Sequence, residues 1–580
     1  MITMTARAAR PGWPGWLLLL ASLLAGTAAA AVRLDIEGAP AALRDNIRAH
    51  VGELPQDDSA TGRREQRRIL AAARQAAEAL GYYHSSLQLE HERRGEDVVQ
   101  RLRVTPGEQV RIGSVELRLT GAAEHDPVFA TVLQELPLRS GQPFNHGDYE
   151  AAKQTLQNLA LRRGYFDARF SRHEVVVDAA ANSADITLEF DSGARYQIGE
   201  VSFSATPFEP ALLEKMVPFA RGDAYDAEAI VSLNRNLLES QYFRVVRVRP
   251  LPDRAERQEV PVDVVLEPAI PNRVGVGLGY STDIGPRTQL NWQRHWVNRH
   301  GHSAGAQLEL SEPRQTVESQ YRIPLASPID DVLEFQFGVQ DEAFQDADSQ
   351  RYTFSIQRLQ RLPSGWRRTI SVRWDYSDFR IGDVRDKTLL VLPGLSFTRT
   401  SSSGGVDPRK GDRLLFGIEA TDPLLGSDIE LQRLRAGARW LYTVAERHRL
   451  LLRLDAGALA TTDFDQVPPG LRFFAGGDQS IRGFAYNSVG PRNADGDVMG
   501  GRYLFTASAE YAWEFRPRWR LALFVDGGNA MNSFGDAPKV GTGFGLHWIS
   551  PVGPIRLDLA WGVSEDDVPF RLHFSMGPQL

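Results

Sequence analysis

The sequence predicts a multidomain protein in which three β-α-α-β-β repeats are followed by a sixteen-strand antiparallel transmembrane β-barrel. Three observations carry that expectation. A secretory leader opens the chain, a short aromatic motif recurs through the first half, and apolar and polar side chains alternate strictly through the second half.

The leader comes first. Arg7 and Arg10 form a basic start, the stretch from Gly15 to Gly26 is apolar, and Thr27 to Ala31 offers small residues for cleavage near Ala30 or Ala31, so residues 1–30 read as a signal peptide. Its apolar run falls short of the ~20 residues a spanning helix needs, and no later uncharged run approaches that length. An exported chain of this kind enters a membrane only as a closed barrel, because lipid tolerates no unpaired backbone groups. Over 580 residues the net charge is −7, which argues against nucleic acid as a partner. Cysteine is absent, which excludes disulfides, thiol nucleophiles and Cys-based zinc sites.

The arm is read from its repeats. Gly81-Tyr82-Tyr83, Gly164-Tyr165-Phe166 and Gln241-Tyr242-Phe243 recur about 80 residues apart, the mark of small stacked units. Each follows a helical stretch (Arg67 to Leu80, Asp148 to Arg163, Ala227 to Ser240). In the second, Ala152, Leu156, Leu159 and Ala160 share one helical face. A strand precedes each helical part, at Val32–Ile36, Val115–Leu119 and Val201–Phe203, and two alternating segments follow it. The expected boundaries are 31–109, 110–194 and 195–268 for the repeats and 269–580 for the barrel.

Beyond residue 290 tryptophan becomes frequent and period-two patterns take over. Tyr503, Phe505, Ala507, Ala509, Tyr511, Trp513 and Phe515 share one face; Ile370, Val372, Trp374 and Tyr376 share another. About sixteen such segments follow one another, each close to the ~9–11 residues of a tilted membrane strand. A soluble sandwich also alternates, but an unbroken meander of this length with aromatics at strand ends suits an outer-membrane barrel with a wet, charged lumen. One connection, Thr461 to Gly500, is long and rich in Gly, Pro and Asp, and long loops in compact units are usually functional.

That loop carries Ile481-Arg482-Gly483-Phe484, which resembles the [VI]-R-G-[FY] tetrad of the bacterial outer-membrane barrel-assembly and two-partner-secretion family. Phe524-Val525-Asp526-Gly527-Gly528, the Gly541–Leu559 stretch and Asp407-Pro408-Arg409-Lys410-Gly411 resemble further motifs of that family, and the arm repeats resemble its POTRA domains. His547 departs from the pattern, since these proteins more often carry Arg there. Alternation puts Leu521, Leu523 and Val525 on the lipid face and Asp526 in the lumen. A loop folded into the barrel would bring the Arg482 guanidinium to Asp526, a pairing for which the planar fork favours Arg over Lys. Gly483 would permit close backbone approach, and Phe484 would pack on the wall. Exchanging the charges of Arg482 and Asp526 is the natural test of that pairing.

The count of three repeats without an N-terminal plug resembles the TamA-type branch, the outer-membrane half of the translocation and assembly module, more than two-partner secretion transporters or the five-repeat barrel-assembly proteins (BamA). The resemblance implies a lateral seam between first and last strands that parts for clients, among them unfolded outer-membrane proteins and autotransporters, within the lipid bilayer. It also implies an inner-membrane-anchored TamB-type partner at the first repeat. Gly275, Gly277 and Gly279 weaken the expected first strand, and the last strand, with Phe570 and Phe574, is followed by Gly577 and Pro578. No catalytic residue, cofactor or metal site is expected. There is no G-x-S-x-G elbow, His295, His300 and His302 read as a solvated turn, and Asp495-Gly496-Asp497 lacks the remaining ligands of a calcium loop. A barrel enzyme and a passive porin are the rival readings; a porin needs neither repeat arm nor tetrad.

Overall fold

The computed structural model describes residues 32–576 except 57, 95–96, 404, 406 and 552. The leader, Gly577 and Pro578 lie outside the described residues. The described residues form two compact bodies, one running to residue 199 with 221–228 and 252–260, the other of residues 200–220, 229–251 and from 261 onward.

The β-α-α-β-β order appears three times. The first repeat runs β1 (Val32–Glu37), α1 (Ala41–Val51), α2 (Arg63–Ala79), β2 (Ser86–Arg94) and β3 (Asp97–Thr105). The second runs β4 (Arg111–Thr120), α3 (Pro127–Glu135), α4 (His146–Arg163), β5 (Arg169–Asp178) and β6 (Ser183–Asp191). The third runs β7 (Gln197–Phe203), α5 (Pro210–Glu214), α6 (Ala227–Glu239), β8 (Phe243–Pro250) and β9 (Glu259–Pro268). In each sheet the third strand is central, and in the first two repeats it runs parallel to the first strand and antiparallel to the second. Helix α2 begins at Arg63 rather than Arg67, because Gly62 supplies the N-cap and the intervening polar residues Arg63 to Gln66 carry no apolar signal.

Packing in the second repeat shows why the motif recurs. Ala152, Leu156, Leu159 and Ala160 of α4 are buried against Ile186, Leu188 and Phe190 of the sheet. The helix stops at Gly164, whose φ of 82° is a left-handed C-cap that side chains resist. Tyr165 is then buried and donates to Asp126 Oδ2 at 3.2 Å. Asp126 also caps α3 through Val128 N and takes Arg163 Nη2 at 3.0 Å. Burial opposes its charge, but the Val128 N–H and the Arg163 guanidinium hold this carboxyl below its ordinary value. In the third repeat Gln241 replaces the glycine and still takes φ 61°.

The barrel follows as a closed meander: β10 (Asn272–Ser281), β11 (Gly285–Arg294), β12 (Ser303–Leu310), β13 (Arg314–Ser327), β14 (Asp331–Phe344), β15 (Ala347–Arg361), β16 (Arg367–Ile381), β17 (Val384–Ser403), β18 (Lys410–Thr421), β19 (Leu431–Val444), β20 (His448–Ala460), β21 (Tyr503–Arg516), β22 (Trp519–Met531), β23 (Lys539–Ser550), β24 (Gly553–Trp561) and β25 (Phe570–Met576). No helix among the described residues is long and apolar enough to cross a membrane; the strands cross it. On β22, Leu521, Leu523 and Val525 are 46%, 62% and 50% exposed, while Ala522, Phe524 and Asp526 are buried, so the outer face meets lipid and the inner face is packed. Aromatic pairs such as Trp519 and Trp548, 5.8 Å apart, mark the interface level where amphipathic rings settle.

Several strands outrun the expected membrane length. β17 spans 20 residues, and charged pairs such as Asp348 with Arg380 and Arg380 with Arg385 lie near the outer ends of these hairpins. Those ends stand in water and serve as a shelf for the long loop. Val498 N donates to Asp346 (2.9 Å), Asn493 Nδ2 to Asp383 (3.0 Å) and Gln345 Nε2 to Tyr486 O (2.8 Å).

Candidate functional site

The loop of residues 461–502 joins β20 to β21 and folds inward. It carries its own short ladder, with bridges Phe473–Gly501, Ala475–Val489 and Arg492–Val498. Arg472 braces its base by donating to the carbonyls of Val467, Met499 and Asp465 at 2.8–2.9 Å. Its apolar side, with Ile481 and Phe484, joins Leu390, Leu392, Val467 and Leu471 in one buried cluster.

At the tip Arg482 is 4% exposed. Its Nε lies 2.7 Å from Asp526 Oδ2 and its Nη2 2.9 Å from Asp526 Oδ1, a fork-on-carboxylate pair. Its Nη1 reaches Glu510 Oε2 at 2.7 Å and Asp558 Oδ2 at 3.1 Å, and its guanidinium stacks 3.4 Å from the Phe524 ring centre. Asp526 also accepts from the Arg482 backbone N–H (3.1 Å) and Ser508 Oγ (2.6 Å). Arg453 donates to Ser480 O at 2.6 Å. His547 occupies the departing position and meets Asp558 Oδ1 at 2.9 Å, so the lumenal contact is kept by an imidazole. Glu510, His547 and Asp558 place ligand atoms close enough for a cation, yet Arg482 Nη1 already bonds two of them.

Gly483 takes φ +95°, and a Cβ there would lie 2.7 Å from Gly562 N and 2.8 Å from Trp561 C, both backbone. Only glycine lets the loop lie this close to β24. The Gly483 N–H donates to His573 Nε2 on β25 at 3.1 Å. On the other side of the barrel's closure, the Asp478 N–H donates to Asp283 Oδ2, in the turn after β10. His573 Nδ1 and Asp283 Oδ1 are 3.7 Å apart. The loop therefore touches both edges where the barrel closes. Burial and the Asp478 carboxylate push the Asp283 carboxyl up to about 7.

At that closure, among the described residues, β10 and β25 share a single registered pair, Ser281 with Ser575, helped by Thr282 N to Phe574 O and Phe574 N to Thr282 Oγ1, each 3.2 Å. By contrast β24 and β25 pair from Ile555↔Met576 to Trp561↔Phe570. Gly275, Gly277 and Gly279 lie on the inner face of β10, opposite Val274, Val276 and Leu278, which are 68–73% exposed. Phe574 faces lipid against Tyr280 (5.8 Å) and Phe570 against Trp561 (5.3 Å).

The Asp407 motif also gains a structural role. Its carboxylate is clamped by Arg520 and Arg449, with Arg520 Nη2 at 2.6 Å, which pins the turn between β17 and β18 inside the barrel. His295, His300 and His302 form no common site: His300 pairs with Glu209 (2.9 Å) and His302 with Tyr321 (2.8 Å). Asp495 and Asp497 sit beside Asp383 in a turn organised by Asn493.

The structure brings together Arg482 and Asp526, the two residues named from the sequence. Glu510 as a direct partner, Arg453, Asp283, Asp478 and the Asp407 clamp carry no local signal in the sequence. Parity alone placed these side chains in the lumen without saying which meet.

The family model described as the Omp85 superfamily domain matches residues 271–579. The chain belongs to the Omp85 superfamily. Two further models match the arm of this Omp85 protein, one described as POTRA domain TamA domain 1 over residues 33–106 and one as a surface antigen variable number repeat over 130–193. Among curated relatives, "Outer membrane protein assembly factor BamA" of Nitratidesulfovibrio vulgaris is 24% identical over 381 residues, 62% of this chain and 48% of that protein. The protein of the same name from Neorickettsia risticii is 22% identical over 515 residues, 84% of this chain and 68% of that protein. The chain thus spans about half the length of the first of these relatives. In fold it is similar to BamA from Haemophilus ducreyi lacking POTRA domains 1–3, with TM-score 0.67, 16% identity, and coverage of 81% of this chain and 99% of that one. An Omp85 barrel behind POTRA domains places this protein in the bacterial outer membrane with its arm in the periplasm.

Proposed function

We propose that this protein assembles or exports β-strand-rich clients, autotransporters among them, through the closure between β10 and β25, in concert with an inner-membrane-anchored TamB-type partner at the first repeat. The observation that carries the reading is that β10 and β25 share a single registered pair among the described residues. A strand edge held by so short a described pairing would template an incoming strand. The match of residues 33–106 to a TamA-type first POTRA domain supports the TamA-type assignment over the two-partner-secretion and BamA readings. The reading assigns no catalytic chemistry and no cofactor: the buried polar cluster holds a loop in place, and its carboxylates are occupied by Arg482 and His547.

Because the chain has no cysteine, a Ser281→Cys/Ser575→Cys pair gives an unambiguous lock. Under oxidising conditions the lock is expected to stop assembly of an autotransporter in cells, with reductant restoring it. Undiminished assembly by the fully locked protein would refute a seam-gated mechanism. Crosslinking from a residue of β1, with the captured protein identified by mass, tests the TamB-type partner.

A further inference from the structure

The lumen holds a second polar centre, distinct from the Arg482 cluster, whose charges do not balance. A cavity of about 500 Å³ lies between the strand wall at β18–β20 and the inward loop. Register brings Arg413 directly opposite Arg439, and Arg439 directly opposite Arg453. Like charges placed opposite one another across strands destabilise a sheet. Arg453 is drawn away by Ser480 O, but Arg413, Arg435 and Arg439 make no hydrogen bond or ion pair among the described residues. Among the described residues two carboxylates line the cavity against six arginines: Glu342, beside Arg314, and Asp455, lying over Gly437 between Arg435 and Arg439. Arg433, buried beside them, reaches Glu419 only at 3.5 Å and leaves its Nε without a partner. Arg472 adds its charge from the loop side, with each of its three nitrogens donating to a backbone carbonyl.

We propose that this cavity is a binding site for a phosphate-bearing polyanion. Guanidinium groups match phosphate oxygens as planar forks, and the row supplies unengaged forks on neighbouring strands. Gly437, between Arg435 and Arg439 on the cavity wall, keeps its inward-facing position small. A bound polyanion relieves the Arg413–Arg439 repulsion and bridges the strand wall to the loop, so it also steadies the docked loop.

The probe is inorganic pyrophosphate, titrated calorimetrically onto the full-length protein in zwitterionic detergent against sodium chloride of matched ionic strength. Saturable binding is expected, weakened roughly tenfold by Arg413→Gln or Arg439→Gln, the loss of about one charged hydrogen bond. It is expected to be unchanged by Lys387→Gln, at a cation paired with Asp378 and outside the cavity. In the absence of anion, Arg439→Gln is expected to raise the urea midpoint, since it removes a like-charge contact; this reading does not depend on ligand. Phosphorus analysis of membrane-extracted protein separates the sources. Lipid phosphate retained by the wild type and lost in Arg413→Gln/Arg439→Gln identifies a lipid headgroup; pyrophosphate binding without retained lipid phosphate identifies a free oxyanion. No saturable response beyond matched salt, or equal binding by the double variant, overturns the proposal.

Discussion

Arg482→Ala tests most directly what holds the loop inside the barrel. Arg482 makes two bonds to Asp526, one to Glu510 and one to Asp558, all between 2.7 and 3.1 Å, and packs on Phe524. Truncation leaves three buried carboxylates facing His547 and Arg453. Breaking a buried ion pair by removing one partner costs about 3–5 kcal/mol, so the ratio of docked to released loop falls by roughly a hundredfold to a few thousandfold. Arg482→Lys keeps the charge but not the fork, and losing one charged hydrogen bond costs about 1.5–3 kcal/mol. Hydrogen exchange across residues 476–484, followed by mass spectrometry, reads these ratios through loss of protection. Adding Glu510→Gln to Arg482→Ala is expected to return part of the loss, because one orphaned charge disappears. The charge exchange of Arg482 and Asp526 is expected to fail even though the pair is direct: Asp at position 482 would face Glu510 and Asp558. Protection in Arg482→Ala within about threefold of wild type, or in Arg482→Lys equal to wild type, would refute the account.

Three further outcomes are expected. Asp407→Ala leaves Arg449 and Arg520 without their shared carboxylate and is expected to lower barrel stability by about 2–4 kcal/mol in urea unfolding; a change below 0.5 kcal/mol would remove the clamp from the argument. Asp283 holds its proton up to about 7 in the docked state against an ordinary 3.8, so its contribution to docking is complete below about 3.8 and is lost as pH rises through about 7. The groups facing it are Asp478, Arg571 and His573. Loop exchange, corrected for intrinsic rate, should therefore be faster at pH 8 than at pH 5.5, and Asp283→Asn should flatten that ratio; a ratio unaltered in the variant sinks the assignment. In the arm, Asp126 is held below its ordinary 3.8 against burial by Val128 N–H and Arg163. Its contribution is thus present above 3.8 and lost as pH falls through the lowered value. Asp126→Asn is expected to cost about 1.5–3 kcal/mol, measured as faster exchange in α3 and α4.

The elements visible in the sequence were those encoded locally. Alternation on β22 put Leu521, Leu523 and Val525 outside and Asp526 inside, because side-chain direction in a strand depends only on parity. The Gly-Tyr repeats marked helix ends for a similarly local reason, the left-handed cap after α4. The extra length of β17 was hidden because its outer part carries charges that obey no lipid pattern. Helix α5, with only five residues, gave no helical periodicity at all.

The sequence by itself determined the order of elements, the inward or outward face of each strand residue, and, with the family resemblance, the loop tetrad. Tertiary structure alone decided which inward residues meet. A one-residue shift between strands changes every cross-strand partner, and register around a closed barrel depends on all its turns and its stagger together. That is why Glu510 and Asp558 share Arg482 with Asp526, why Asp283 and His573 meet the loop from opposite edges of the closure, and why Arg413 stands opposite Arg439. Each of these contacts joins positions tens to hundreds of residues apart, where local periodicity holds no information.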